Sequence, residues 1–269
     1  MLVSENHSKG DYNFMSQETK NNATEVAKVN EFSLVADSTA MQQMISEDMV
    51  DLNIGLQRVK LPTGGATSFE IESGDGEPET VKELRGVIVF NHPSYCYYKD
   101  AFNGENKMPD CYSIDGQIGN GVPGGNCKAC PLNKFESGAN GISKACKNKR
   151  ALYIVLDGQV FPVTLLLPTG SLVSFTKYVQ ANMFKKRKLA HVLTKITLKK
   201  ATNKTGIAFS QAVFTFERLL TEQEINQLSG VVDFVKEYAL NHVPQNDVAD
   251  DDIPFVDTET GEVIKPLGK

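Results

Sequence analysis

Tryptophan is absent from this sequence, and histidine, at four residues in 269, is nearly so. No stretch approaches the roughly 18 consecutive apolar residues needed to span a bilayer. Residues 1 to 31 are polar and lack the basic start and apolar core of a secretion leader. The expectation is therefore a cytoplasmic protein that does not enter a membrane. In that compartment thiols stay reduced, so the five cysteines call for an explanation other than disulfides. There is no glycine-rich phosphate loop ending in Lys-Ser or Lys-Thr, and the histidines are scattered. Neither pattern favours an enzyme.

Negative charge is also unevenly missing. Residues 116 to 216 contain Glu136 and Asp157 as their only 2 acids, against 15 Lys and Arg, a local balance of +13. The flanks are opposite: residues 1 to 115 hold 19 acids and 9 bases (-10), and residues 217 to 269 hold 12 and 4 (-8). The overall charge of -5 hides a basic centre between acidic ends. Such a block faces either solvent or a polyanion. A nuclease or phosphoryl-transfer enzyme would want clustered carboxylates to hold metal ions, and this centre has two.

At 41% hydrophobic and 23% charged residues, the chain can bury a sizeable core. Residues 1 to 50 read as a flexible arm with one short helix, Thr39 to Met49. Strands are expected at Leu56 to Leu61, Thr67 to Ile71 and Leu84 to Phe90. Beyond Arg150 the pattern predicts a hairpin, Ala151 to Leu156 and Val160 to Leu167, around Asp157-Gly158. A helix beginning near Pro168 and Ser171 carries an apolar stripe of Leu172, Phe175, Val179 and Met183. Strands His191 to Lys200 and Ile207 to Glu217 follow. Thr221 and Glu224 form a capping-box signature for a helix running to about Asn241, and residues 242 to 269 read as a disordered acidic tail. Counted from Leu84 to Phe90, three strands, a helix and two strands give the order of an OB-fold-like barrel. The expected class is mainly β with α, residues 51 to 241 forming one nucleic-acid-binding domain.

Residues 100 to 150 interrupt that domain with Gly, Asn, Pro, Lys and Cys, too long a structureless loop unless something orders it. Cys111, Cys127, Cys130 and Cys146 are separated by fifteen, two and fifteen residues. A Cys-x-x-Cys knuckle with two outlying thiolates suits tetrahedral Zn²⁺, and metal binding then substitutes for a hydrophobic core. A set of four thiolates closes the coordination sphere, which makes the zinc structural rather than catalytic. His92 and Cys96 are spare donors, the latter read as packed between tyrosines.

For nucleic acid, the candidates are Lys144, Lys147, Lys149 and Arg150 beside the cysteines, the run Lys185, Lys186, Arg187 and Lys188, and Lys195, Lys199, Lys200 and Lys204 on and after the fourth core strand. Alternation places Lys195 and Lys199 opposite Val192, Thr194, Ile196 and Leu198. Phe209 is a candidate stacking platform for bases, with Tyr95, Tyr97, Tyr98, Tyr112 and Tyr153 as alternatives. Which face of the last strand is core, that of Phe209 or that of Phe214 and Phe216, stays open.

Near the C-terminus, Asp250-Asp251-Asp252-Ile253-Pro254-Phe255 resembles the acidic tip of the bacterial single-stranded-DNA-binding protein family. The resemblance implies single-stranded DNA as ligand, recruitment of replication or recombination proteins through those six residues, and a bacterial or phage-infected cytoplasm. In that family the Phe is terminal, whereas fourteen residues follow Phe255 here. A zinc-bearing insertion in an OB-type core is also similar to the helix-destabilising proteins of large tailed phages, which use three Cys and one His. The expected function is a non-catalytic single-strand coat. The alternatives are a zinc-containing RNA-binding or transcription-regulating module, and a nuclease or other DNA-processing enzyme.

Overall fold

The computed structural model describes residues 32–52, 55–62, 64–72, 76–100, 108–138, 141, 143–202 and 208–242. The chain divides at Ser33 into a short first unit, described only at Phe32 and Ser33, and a second unit from Leu34. Most of the expected arm, Lys204, and the tail with Asp250 to Phe255 lie outside the described residues.

Within the second unit the structure is mainly β, with three helices among the described residues. In chain order these are α1 (Ser38–Asp48), β1 (Arg58–Lys60), β2 (Phe69–Ile71), β3 (Glu79–Val81), β4 (Glu83–Tyr97), β5 (Cys111–Ser113), β6 (Ile118–Gly121), β7 (Gly125–Asn126), β8 (Lys147–Leu156), β9 (Val163–Leu167), α2 (Thr169–Phe184), β10 (Val192–Thr202), β11 (Ala208–Leu219) and α3 (Glu222–Asn241). Short 3₁₀ turns at Pro131–Asn133 and Leu189–His191 precede β8 and β10. None of the described helices is long and apolar enough to cross a membrane.

The sheet is built around β4, which runs far beyond the expected Leu84 to Phe90. One edge pairs with β8 from Gly86 to Cys96, and the other pairs first with β10, from Glu83 to Val87, and then with β5, from Tyr95 to Tyr97. Pro93 falls in the interval that neither β10 nor β5 covers. A residue without an N–H is tolerated where no ladder bond is needed, which is why proline does not end this strand. From β8 the order continues through β9, β1 and β2 to β3, with β1 parallel to β9 and the other pairings antiparallel. The expected barrel does not close among the described residues: β11 pairs with β10 alone, and β3 with β2 alone.

Six consecutive residues of β8, Ala151 to Leu156, are buried. Continuous burial means that both faces of the strand are covered, and the hydrophobic run encodes this directly. Leu152, Ile154 and Leu156 join Ile88, Leu165, Ile196, Phe214 and the α2 residues Phe175 and Tyr178 in the main core. On the other face Tyr153 meets Tyr238 of α3 edge to face at 6.3 Å. Truncating a buried residue such as Leu152 to Ala costs about 2 to 5 kcal/mol.

Polar contacts fix the helices on this sheet. Ser171 Oγ accepts from Ala212 N–H at 2.9 Å, and the Tyr178 and Thr194 hydroxyls bond at 2.7 Å. α3 begins with the expected capping box at Thr221 and Glu224 and buries Leu228, Val231, Val235 and Ala239. Against it packs α1, whose Met41 is buried, and Gln227 Nε2 donates to the Leu34 and Ala36 carbonyls at 3.2 and 3.0 Å. Residues 34 to 48 are thus a packed element rather than part of an arm.

Candidate metal centre and nucleic-acid surfaces

Between β4 and β8, the described residues 108–138 and 143–146 form an excursion whose backbone is held by turns and short strands. Cys111 opens β5, opposite Tyr97 on one side and Gly121 on the other. The β6–β7 hairpin returns the chain to Cys127, whose N–H donates to the Gln117 carbonyl at 2.8 Å. The knuckle from Cys127 to Cys130 is shaped by Asn126, whose Oδ1 accepts from the N–H groups of Lys128 and Ala129 at 2.9 and 3.3 Å. This is the local side-chain bond that lets Asn mimic a backbone turn. Cys146 enters β8 with its N–H on the Leu132 carbonyl at 2.8 Å, and Asn148 Nδ2 reaches Asn133 Oδ1 at 2.9 Å.

These contacts bring the four cysteines into one neighbourhood. Burial pushes the Cys146 thiol up to about 12, and the charges of Cys96, Cys127, Cys111 and Cys130 add to the effect. Burial also raises Cys127, partly offset by a hydrogen bond from Ser113, with Cys111 and Cys130 again contributing. At Gly119 a Cβ would lie 3.0 Å from Cys111 Sγ, so glycine makes room for the sulfur. No disulfide joins the five cysteines. Among the described residues no three His, Cys, Asp or Glu side chains stand at the separations a single ion requires. The thiols therefore share a region without forming a preassembled ligand cage. As a donor set they suit Zn²⁺: thiolates crowded in a buried region destabilise one another, and a divalent ion among them would reverse that repulsion.

Cys96 is drawn into the same region. It is buried, pairs across the ladder with Lys147 and Tyr112, and is the first of the cysteine charges acting on Cys146. Sequence spacing carries no hint of this, because it arises from β5, β4 and β8 lying side by side. His92 is committed elsewhere: its Nδ1 bonds the Pro93 carbonyl at 2.6 Å, its Nε2 the Tyr153 hydroxyl at 3.1 Å, and burial lowers its pKa.

The basic candidates separate into three groups. Beside the cysteines, Lys144 lies 4.9 Å over the Phe135 ring and Lys147 is half-buried. Lys149 is only 9% exposed. Arg150 donates from Nε to Asn91 Oδ1 at 2.6 Å and sits 5.9 Å from the Phe175 ring. These contacts make Arg150 a brace of the β4–β8 ladder, and burial lowers its pKa. On β10 the expected alternation holds, with Val192, Thr194, Ile196 and Leu198 buried, Lys195 half-buried and Lys199 exposed. Lys200 is exposed as well. The third group, Lys185 to Lys188, follows α2. Thr194 touches α2 through Tyr178, so α2 covers the Thr194 face, and Lys195 and Lys199 alternate to the opposite face. Lys185 to Lys188 therefore lie on the other side of the sheet from Lys195 and Lys199, while Lys200 alternates back to the α2 side.

Of the candidate stacking platforms, Tyr95, Tyr97, Tyr98 and Tyr112 are half-buried, and Tyr153 and Phe209 are inaccessible. Tyr153 is 2% exposed and Phe209 8%. Tyr153 points to the α3 side of β8, where the His92 bond satisfies its hydroxyl. The open question about β11 is answered by Phe214, which pairs with Ile196 and packs at 5.2 Å against Phe175 in the core. Of the stripe expected on α2, Phe175 is buried and Leu172 and Val179 pack half-buried against the core, whereas Met183 is 61% exposed; Ser171, Tyr178 and Asn182 complete the inward face. Ser171 and Tyr178 join that face through their hydrogen bonds to β11 and β10, which a hydrophobic pattern does not signal.

No protein-family model, curated protein or solved structure matches this chain.

Proposed function

We propose that this chain is a non-catalytic single-stranded-DNA-binding protein, acting in the cytoplasm of a bacterial or phage-infected cell. The observation that carries the reading is the basic block of residues 116 to 216, +13 with 2 acids, displayed as exposed lysines at the end of α2 and on β10. Of those two acids, Asp157 lies 3.6 Å from Arg85. A lysine-rich surface neutralises phosphates and releases counterions, which binds any sequence and weakens with salt.

The strand arrangement supports an OB-type core. Taking β4, β8, β9, β10 and β11 as its five strands, the first lies between the second and the fourth, and α2 joins the third to the fourth. In the proposal these five strands correspond to those of an OB-type core, with the helix in the expected connection. In the proposal, Zn²⁺ held by Cys111, Cys127, Cys130 and Cys146 is structural and stiffens the insertion between the first two of these strands. The acidic tip Asp250 to Phe255 recruits replication or recombination enzymes and competes for the basic surface until DNA displaces it.

A titration with oligo-dT, oligo-rU and duplex DNA of equal length tests the reading. Binding to dT is expected to be tight and to fall steeply with salt. A preference for duplex would overturn it, and a preference for rU would favour an RNA-binding module.

A further inference from the structure

We infer that the C-terminal turn of α2 is a base-stacking site for a single strand, with Phe184 as the platform and Lys185, Lys186 and Lys188 as its phosphate contacts. The inference deepens the single-strand reading above and rests on it.

Phe184 is 80% exposed, more than any other large hydrophobic residue described, and Met183 beside it is also exposed. The inward face of α2 is complete without them: Ser171, Phe175, Tyr178 and Asn182 fill it. The packing of α2 thus leaves the phenyl ring available to a ligand. Cations adjoin it in sequence. No described residue forms an ion pair with Lys185, Lys186 or Lys188, and all three are exposed.

The turn that presents them is rigid. Arg187 N–H donates to the Asn182 carbonyl and Lys186 N–H to the Met183 carbonyl, each at 2.9 Å, the paired bonds of a Schellman cap. Its left-handed position, normally glycine, is held by Lys186 at φ 54°. A cation therefore stands where the backbone favours a residue without a side chain. Arg187 plays a different part, lying 3.9 Å over the Phe216 ring and fixing the turn to β11. An apolar ring flanked by exposed cations on a fixed turn complements a ligand with an exposed π-face and regularly spaced anions. An unpaired nucleotide strand has both. The same chemistry would tolerate an anionic lipid surface or a second copy of the chain, and these are distinguishable outcomes.

The test uses the full chain and labelled oligo-dT. Phe184→Ala is expected to weaken binding roughly 5- to 150-fold, with the salt slope unchanged because no phosphate contact is lost. Lys185→Ala should instead lower that slope by about 0.7. Phe184→Trp places the only tryptophan in the chain at the site, and its emission should be quenched as dT binds. Lys186→Gly is expected to raise the unfolding temperature by relieving the left-handed strain while weakening dT binding, an opposition that a purely structural role would not produce. If Phe184→Ala binds dT like the parent, the stacking site is overturned and the single-strand reading survives. A parent that does not bind dT overturns both. Equal dT binding with loss of phosphatidylserine-vesicle binding, or of self-association on sedimentation, would assign Phe184 to lipid or to a second copy instead.

Discussion

Glu224 receives Thr221 N–H at 2.7 Å, Thr221 Oγ1 at 3.0 Å and both terminal nitrogens of Arg218 at 2.9 and 2.7 Å. Arg218 foremost, and the Thr221 bonds after it, hold its carboxyl down at about 2 from an ordinary 4.5. A depressed carboxylate stabilises the fold above its unfolded pKa and loses that contribution as pH falls through the folded one. Glu224→Gln is expected to cost about 1 kcal/mol at neutral pH, and the gap to the parent should close between pH 4.5 and about 2 in urea titrations. A gap independent of pH would show that the charge contributes nothing. The capping box was legible in the sequence because donor and acceptor lie three positions apart. The accessibility of individual side chains was not. Lys149, Arg150 and Tyr153 carry the right chemistry for DNA, but the β4–β8 ladder claims them, and Phe184, which no spacing rule singles out, is the most exposed phenylalanine among the described residues.

Among the elements, α3 shows how a local penalty reveals a tertiary contact. Gly230 lies in the middle of this helix, where alanine would be favoured by about 1 kcal/mol on propensity alone. A Cβ there would collide with the Ser38 side chain at the start of α1. Gly230→Ala is therefore expected to lower the urea midpoint, despite the better helix former. A higher midpoint would mean that α1 does not pack there. Helix periodicity, capping and the β8–β9 hairpin could be read locally because their signals repeat within one element. The length of β4 could not. Its residues beyond Phe90 are polar, aromatic or proline, and they become a strand because β8 and β5 supply pairing partners. The stripe on α2 was legible at Leu172, Phe175 and Val179 but incomplete: Ser171 and Tyr178 also face inward to bond β11 and β10, contacts invisible to a hydrophobic pattern.

At the scale of the whole molecule, two kinds of stabilisation coexist. The α2 and α3 faces of the sheet rest on apolar burial, whereas the described part of the excursion from Cys111 to Cys146 rests on turns and backbone hydrogen bonds. Native protein is expected to contain about one zinc per chain by metal analysis. Chelation should speed amide exchange in the excursion while leaving β8 and β10 protected, because the main core does not depend on the thiols. Native protein free of zinc, with the excursion still protected, would remove the metal from the proposal. The charge blocks, the cysteine spacing, the capped α3 and the strand–helix order between β8 and β11 were determined by the sequence itself, since each depends on composition or on residues a few positions apart. Tertiary structure alone decided that Cys96 joins the other four cysteines, that the sheet stays open among the described residues, and that the basic residues divide between the two sides of the sheet. Those outcomes depend on pairing between distant strands, as when His92 meets Tyr153 sixty-one positions away, and burial is settled only when such partners are in place.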